Sequence, residues 1–478
     1  MKRKSVSRRD VLGYGLTGAL GLAFLPMLRR IARAAPGPSA KCDRVLILNL
    51  AGGVRSSAAF HASAQTPFNP YGLMSGVATP FALGQILDAG GDDASYTLGG
   101  SWSGARLPRL REMATEMSVL GTFSKTRGDH LRARIEEPTG SSSGGAPGIL
   151  TRIGAGFAES QTTTGAPAFH IAPAAQFGAA VGAITKHVPV SLANFASVPS
   201  ASNILPAWVT STGNSYATNE AMRDRLDDAA IAARHGVGKQ LTETLGYHRR
   251  AARDIGERLA QGDFALANAA QDGTALGTVN LASGGRALTN GMLKELFRKG
   301  APPQYVGFAT NLALAVRLLQ IGSPAITLET PTFDYHSGEA VQGPPLYGYF
   351  GRLWAALQWL LSRIPSGSGT LLDRTLVVTM SDFGRDKAGA NGWNAGDGSD
   401  HGADYACFYL AHAVMGAGIR KNRLVGPVDT TTYNAQTSSV SYTPNQLLVT
   451  ILDALGLDPT DEEWGLPTGG NPIAELWS

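Results

Sequence analysis

The sequence predicts an α/β fold in which helices pack on a mainly parallel β-sheet. Three observations support this prediction. Short, continuous apolar runs such as Leu376–Met380 are typical of strands that are buried on both faces of a sheet. Longer stretches with apolar residues three and four positions apart lie between these runs and predict helices. Glycine-rich or polar turns follow the runs, which is the alternation expected of βαβ units.

The elements can be assigned in chain order. We expect strands over 45–48, 118–120, 325–328, 376–380 and 406–411, and helices over 107–117, 219–262, 308–319, 346–364 and 446–455. Gly236 and Gly238 should divide the longest helical stretch, because glycine weakens a helix. The polar segment 139–147 is expected to be a flexible loop. No internal repeat occurs, so we expect residues 35–478 to form one α/β/α sandwich domain with a helical insertion near 219–262.

The composition fits a large folded domain with many turns and excludes several classes of protein. Hydrophobic residues make up 43% of the chain and aromatic residues 8%, which is enough for a core and excludes wholesale disorder. The 59 glycines and 26 prolines indicate many turns and loops. Two cysteines, Cys42 and Cys407, exclude a disulfide-rich scaffold and a cysteine-based metal cluster. The sequence is compatible with one disulfide or with two free thiols.

The net charge of +4 depends on the first 34 residues. These residues hold eight of the 41 Lys and Arg and one of the 37 Asp and Glu. The remainder therefore has 33 basic and 36 acidic residues and a formal charge of −3. A chain with this balance has no global electrostatic reason to bind nucleic acid.

The N-terminus has the order of a twin-arginine export signal. Arg8 and Arg9 precede an uncharged stretch over 11–28, and Ala32-Arg33-Ala34 forms an A-x-A cleavage site. Eighteen residues could just span a bilayer, but four glycines and the cleavage site favour a cleaved signal over a membrane anchor. We expect the twin-arginine translocase as an export partner, a periplasmic or secreted location, and no stable membrane span after cleavage.

Aspartate and histidine residues recur just after several of the predicted strands. The carboxyl ends of parallel strands form the usual ligand site of an α/β sheet, so polar residues there are the first candidates for chemistry. They are Asp334 and His336 after the strand at 325–328, Asp382 and His401 after the strand at 376–380, and Asp129 and His130 after the strand at 118–120.

These residues favour a shared site, although each alone is more often a turn residue that forms local hydrogen bonds. A mixed set of carboxylates and imidazoles suits a divalent zinc, manganese or iron ion. The other histidines are weaker candidates. His170 and His412 lie in apolar runs and are expected in the core, whereas His61, in the loop after the first strand, is an outside candidate.

Several motifs occur in order along nearly the whole mature chain. They are the twin-arginine leader, Leu46-Ile47-Leu48 before Gly52-Gly53, Asp129-His130, Phe333-Asp334-Tyr335-His336, Ser381-Asp382-Phe383-Gly384-Arg385 and Asp400-His401-Gly402. With this set, the chain resembles the exported family named domain of unknown function 1501, which is similar to the alkaline phosphatase and sulfatase superfamily. The resemblance implies an alkaline-phosphatase-like sandwich with a metal site at the strand ends. It implies that Asp334, His336 and His401 hold one metal ion and that Asp382 belongs to a second metal position.

Three positions depart from the superfamily pattern. Arg55 stands where an acidic ligand of the second metal is expected, and Phe383 follows Asp382 where superfamily phosphatases have a histidine. The nucleophile is expected at the start of the helix after the second strand, where Thr126 could serve, but Asp129 comes directly before His130. No C-x-P-x-R or S-x-P-x-R segment occurs, so a sulfatase formylglycine is not expected.

These departures leave two functions open. A two-metal phosphatase needs ions about 3.5–4 Å apart, and loss of two ligands should prevent that arrangement. One divalent ion could still polarise an ester oxygen or activate water. The first expectation is therefore an exported metal-dependent hydrolase of a small anionic phosphate, sulfate or related ester, with Thr126, Arg55 and His130 as catalytic residues. Arg55 would then replace the second metal as a fixed positive charge.

The alternative is a catalytically degenerate protein of the cell envelope that binds a ligand or partner without turnover. The three departures favour this alternative, whereas the retained aspartates and histidines favour the hydrolase. A redox enzyme has little support, because no dinucleotide-binding fingerprint follows the first predicted strand.

Overall fold

The structure is a computed structural model that describes most of the chain outside two long gaps at its start and middle. The described residues are 40–88, 96–124, 129–141, 145–160, 168–172, 176–179, 187, 189–194, 229, 233, 272–273, 275–387, 401, 409–426, 442–461, 464–466 and 470–477. The predicted signal at 1–34, Thr126, Cys407 and the predicted helices at 219–262, apart from two single residues, lie outside these ranges.

An eight-stranded, mainly parallel sheet flanked by helices organises the described chain, which confirms the predicted α/β class. In chain order, the strands are β1 (Arg44–Leu50), β2 (Ser118–Ser124), β3 (Phe169–Ile171), β4 (Val190–Leu192), β5 (Ala275–Leu281), β6 (Gly284–Thr289), β7 (Ala325–Glu329), β8 (Pro365–Ser366), β9 (Gly369–Thr370), β10 (Thr375–Ser381), β11 (Tyr409–Gly416) and β12 (Arg423–Val425). The order across the sheet is β12-β2-β11-β10-β1-β7-β3-β4. Strand β11 is antiparallel to both of its neighbours, and the other pairs are parallel.

The central strands explain why their sequences read as unbroken apolar runs. Every residue of β1 and β10 is buried, so neither strand has a solvated face that would require alternating polar residues. Strand β1 pairs with β10 on one side and with β7 on the other, so that Asn49 lies opposite Met380 and Glu329. The carboxyl ends of these three strands therefore lie at the same edge of the sheet.

The helices agree with the prediction best where they are long and apolar. They are α1 (Leu110–Met113), α2 (His130–Thr139), α3 (Ile149–Ser160), α4 (Asn290–Arg298), α5 (Val306–Gln320), α6 (Glu339–Leu361) and α7 (Pro444–Ala454). Helix α7 begins with a capping box, because the Thr443 and Gln446 side chains each accept the other's backbone N–H. Helix α6 begins earlier than expected and contains Pro344 and Pro345 in its first two turns.

The helix expected over 107–117 is shorter than predicted. Only α1 is α-helical, and a 3-10 turn at Ala114–Glu116 follows it. The Glu112 carboxylate accepts the backbone N–H of Arg109 at 3.1 Å and the Arg106 guanidinium at 3.0 Å. These local hydrogen bonds favour one capped turn over a longer helix.

The remaining expectations concern the core and the membrane. His170 and His412 are buried, as predicted, at 4% and 1% exposed. Cys42 is a buried free thiol that donates to the Ala454 carbonyl at 3.5 Å. Among the described residues, no helix is long and apolar enough to cross a membrane.

A buried ion pair joins the loop after β1 to the first turn of α6. The Arg55 Nε donates to the Glu339 carboxylate at 2.9 Å, and a second guanidinium nitrogen donates to its other oxygen at 3.0 Å. The side chains of Arg55 and Glu339 are 0% and 2% exposed. The Tyr347 hydroxyl also accepts the Arg55 backbone N–H at 2.9 Å. The loop therefore depends on a residue that lies 284 positions further along the chain.

We predict that Arg55→Met lowers the free energy of unfolding by about 3–5 kcal/mol, because it leaves the Glu339 carboxylate buried without its cation. The double variant Arg55→Met/Glu339→Leu should recover most of this loss. Urea unfolding of the three proteins measures the effect. Lys421→Met is the control, because Lys421 and Glu116 form an exposed pair, and its loss should cost under about 1 kcal/mol. If Arg55→Met and Lys421→Met lower the free energy of unfolding by the same amount, the prediction is wrong.

His170 predicts a pH dependence of stability. Burial lowers the pKa of His170 to about 4, so the unfolded chain binds a proton between about pH 6.5 and pH 4 that the folded chain does not. This contribution to stability is complete above pH 6.5 and is lost as the pH falls toward 4, by up to roughly 3 kcal/mol. When the free energy of unfolding is measured across this pH range, it should fall less with decreasing pH in His170→Gln than in wild type. If the two proteins lose the same unfolding free energy between pH 6.5 and pH 4, the prediction is wrong.

Candidate metal centre

Four side chains form a group that could hold a metal ion. They are His130, Asp334, His336 and His401, and each offers a nitrogen or carboxylate oxygen within 4.8 Å of the others. The Asp334 carboxylate lies between two imidazoles, 3.1 Å from the His130 Nε2 and 3.0 Å from the His336 Nε2. The His401 Nε2 is 3.3 Å from the His336 Nε2. Three imidazoles that converge on one carboxylate form a donor set suited to zinc, manganese or iron.

The topology of the sheet brings these four residues together. His130 is the first residue of α2, after β2. Asp334 and His336 follow β7, and His401 lies between β10 and β11. Strands β2, β7 and β10 run in the same direction, so the segments that follow them meet at the carboxyl edge. This is the edge at which the sequence predicted a site.

Two glycines let the loop after β1 pass directly beside the cluster. Gly52 and Gly53 have φ angles of +86° and +90°, which residues with a side chain rarely adopt. A Cβ atom on Gly52 would lie 2.8 Å from the Cβ of Asp334, and one on Gly53 would lie 2.7 Å from the Phe383 ring. A side chain at either position would displace the residues that carry the site.

Asp334 is held by a buried arginine. An Arg385 guanidinium nitrogen donates to the Asp334 Oδ1 at 2.5 Å, and the Arg385 side chain is 1% exposed. Burial favours the neutral acid, but the hydrogen bond and the charge of Arg385 outweigh it and hold the pKa of Asp334 below its ordinary value. Asp334 is therefore an ionised ligand candidate at neutral pH.

Asp382 orients His130 from behind. Its Oδ2 accepts from the His130 Nδ1 at 2.9 Å, the Gly52 N–H at 3.2 Å and the Arg134 Nε at 3.1 Å. This contact holds the Nδ1 side of the His130 ring against Asp382, and the His130 Nε2 faces the Asp334 carboxylate at 3.1 Å. A carboxylate that holds the far nitrogen of a ligating histidine is a common support of metal sites.

The structure brings some of the predicted site residues into the cluster and leaves others outside it. It brings Asp334, His336 and His401 together, and it adds His130, which we expected to be catalytic. Asp382, expected as a ligand of a second metal, is not one of the four grouped residues. Phe383 packs its ring 4.6 Å from the His130 ring and 4.3 Å from the His401 ring, centroid to centroid. Its ring therefore lies against two imidazoles of the cluster.

The structure describes the surroundings of Arg55 but not those of Thr126, the other two residues predicted to be catalytic. The expected contact between Arg55 and an anion does not fit this geometry. Its guanidinium is fully buried, pairs with Glu339 and donates to the Asp386 carbonyl at 2.6 Å. Thr126 lies outside the described residues, so its role stays a prediction. Sequence reasoning did not single out Arg134 and Arg385, although Arg385 is in the same motif as Asp382.

The fold and the site together define an α/β protein with a candidate metal cluster at the carboxyl edge of a mainly parallel sheet. The chain belongs to the family described as Protein of unknown function (DUF1501), whose profile matches residues 43–471. Comparison with curated proteins and with solved structures found no match. The family membership expected from the motifs is thus confirmed, whereas the similarity to alkaline phosphatase stays a prediction.

We predict that Asp382→Asn weakens binding of Zn²⁺ or Mn²⁺ by about 10–100-fold, because the neutral amide holds His130 less firmly. Calorimetric titration of the metal-free protein measures the affinity, and thermal unfolding in chelator reports the stability of the fold separately. Asp453→Asn, which changes a carboxylate paired with Lys41, is the control. An unchanged affinity would contradict the positioning role, and a loss as large as that of His336→Ala would make Asp382 a direct ligand.

Proposed function

We propose that this protein is an exported metal-dependent hydrolase of a phosphate, sulfate or related ester that works with one divalent metal ion. The observation that carries the proposal is the convergence of His130, Asp334, His336 and His401 at the carboxyl edge of the sheet. When bound there, a divalent ion would polarise an ester oxygen or lower the pKa of a bound water molecule.

The surroundings of the cluster support one metal ion rather than two. By the resemblance to the superfamily, Asp382 would belong to a second metal position, but its Oδ2 already accepts three hydrogen bonds. The ring of Phe383 stands where the superfamily has a histidine ligand, and Arg55 pairs with Glu339 where an acid is expected. If the chain shares the superfamily's second metal position, the described residues there do not supply the ligands that a pair of ions needs.

The number of protein ligands limits which metal ion could be catalytic at this site. A zinc ion held by four protein ligands is typical of a closed structural site, whereas a catalytic zinc keeps a position for water. A hydrolase therefore needs either a five- or six-coordinate manganese or iron ion, or a zinc ion that leaves one of the four residues unbound. The side chain of His336 is 53% exposed, so solvent reaches the cluster on its side.

The residues of the chain suggest how an anionic ester would be held. Arg134 lies one turn after His130 on α2 and donates to Asp382 through its Nε. Its side chain is 35% exposed, and the terminal nitrogens of a guanidinium are well suited to anionic oxygens. We therefore assign to Arg134 the anion contact that the sequence suggested for Arg55. Arg385 keeps Asp334 ionised, and the nucleophilic role of Thr126 is part of the proposal.

Export is the part of the proposal that rests on sequence alone. The arginine pair, the weakly apolar stretch and the A-x-A site at the N-terminus favour the twin-arginine translocase and a periplasmic or secreted location. The second candidate function is a degenerate envelope protein that binds a ligand or partner. The four-residue cluster favours it too, because four protein ligands can close a metal site.

Metal content and turnover test the proposal together. We expect the purified protein to hold about one divalent ion per chain by mass spectrometry, and His401→Ala to lose it. His170→Gln is the control, because His170 lies in β3 and is not part of the cluster.

The metal-loaded protein should hydrolyse at least one ester of a phosphate and sulfate panel, and Arg134→Met should raise KM more than it lowers kcat. No metal in the wild type would remove the hydrolase, and bound metal without turnover would favour the degenerate alternative.

A further inference from the structure

A cleft separate from the metal centre lies in the segment after β1. It has a volume of about 470 Å³ and is built from residues of 61–83. Met74, Phe81 and Leu83 are buried at its floor, and Leu73 is exposed at its rim. None of the four residues of the metal cluster lines it. Its size is in the range of small-molecule sites, about 300–1,000 Å³.

The backbone around the cleft is firmly held. The Ala62 N–H donates to the Ala82 carbonyl at 2.8 Å, and the Met74 N–H donates to the Leu83 carbonyl at 2.8 Å. Phe60 and Leu83 form an antiparallel bridge. These bonds join the two sides of the segment, so the cleft is part of the folded structure rather than a gap between loose loops.

His61 is the unusual residue of this cleft. Its side chain is 6% exposed, and neither ring nitrogen has a hydrogen-bond partner. Buried polar groups are normally hydrogen-bonded, so a cleft side chain with both ring nitrogens unpaired is a candidate for a ligand or water contact. The His61 φ angle is +58°, in the left-handed region where a residue other than glycine is uncommon and is often functional.

We infer that this cleft binds a small, uncharged and largely apolar molecule that carries a hydroxyl group, with His61 as its hydrogen-bonding partner. The apolar floor selects the body of the ligand. Apart from His61, the described residues that line the cleft include no acidic or basic side chain, and Gln65 and Thr79 are the other polar ones, so a charged ligand would lose its hydration without an opposite charge.

The chemistry of His61 selects the hydroxyl group. Burial lowers the pKa of His61 to about 4, so its imidazole is neutral at neutral pH, with one nitrogen as donor and the other as acceptor. A hydroxyl group can pair with either nitrogen, because it both donates and accepts. Both ring nitrogens are covered in this conformation, so the inference includes a turn of the imidazole that brings one nitrogen to the ligand.

Benzyl alcohol and toluene test this inference, because they differ by one hydroxyl group. Titration of the full-length protein should give benzyl alcohol an affinity at least about tenfold higher than that of toluene, and benzoate should bind no better than toluene. In protein labelled with ¹⁵N-histidine, benzyl alcohol should shift the ring nitrogens of His61 and leave those of His130 and His336 unchanged. Equal affinities for the first two probes, or binding of neither at millimolar concentration, would overturn the inference.

Variants separate the hydrogen bond from the apolar floor. His61→Phe should abolish the preference for the alcohol, and His61→Asn, which tolerates a left-handed backbone better, repeats this test if the first variant folds poorly. Leu73→Asp at the exposed rim should lower the binding affinity for both benzyl alcohol and toluene. A preference for the alcohol that persists in both His61 variants would overturn the inference. Metal content should stay as in wild type throughout, so failure here leaves the proposed hydrolase untouched.

Discussion

The guanidinium of Arg385 joins the loops that follow three neighbouring strands. It donates to the carbonyls of Gly52 and Gly53 after β1, to the Phe333 carbonyl and the Asp334 carboxylate after β7, and it lies itself after β10. A rigid planar group with five donors suits this task, because it can hold several acceptors at fixed angles. The positions of the candidate metal ligands thus depend on a buried residue that is not one of them.

A second carboxylate extends this arrangement to α2. Asp382 binds the start of the helix twice, through His130 in its first turn and Arg134 one turn later, and also accepts the Gly52 N–H. One aspartate, Asp334, therefore faces the cluster and the other stabilises it from behind. The Phe383 ring packs against the His130 and His401 rings and supports these two imidazoles.

The sequence could predict the sheet and the edge that carries the site, but not how the side chains pair. Buried parallel strands such as β10 are unbroken apolar runs, and residues after them must lie at the carboxyl edge. Spacing along the chain gives no information on rotamers or on partners nearly 300 residues away, so it cannot predict that Arg55 pairs with Glu339. The packing also shows that the His130 Nε2 faces Asp334, which spacing along the chain cannot predict, whereas its predicted catalytic role stays a prediction.

Cys42 has a consequence for the compartment in which the protein would work. Burial raises the pKa of its thiol to about 12, so on the order of one molecule in a hundred thousand carries the reactive thiolate at pH 7. Such a thiol resists oxidation and disulfide exchange even in an oxidising environment. The described core around β1 therefore needs no oxidative step to reach its final state. If the protein is exported as proposed, this thiol would therefore stay chemically unchanged on both sides of the membrane.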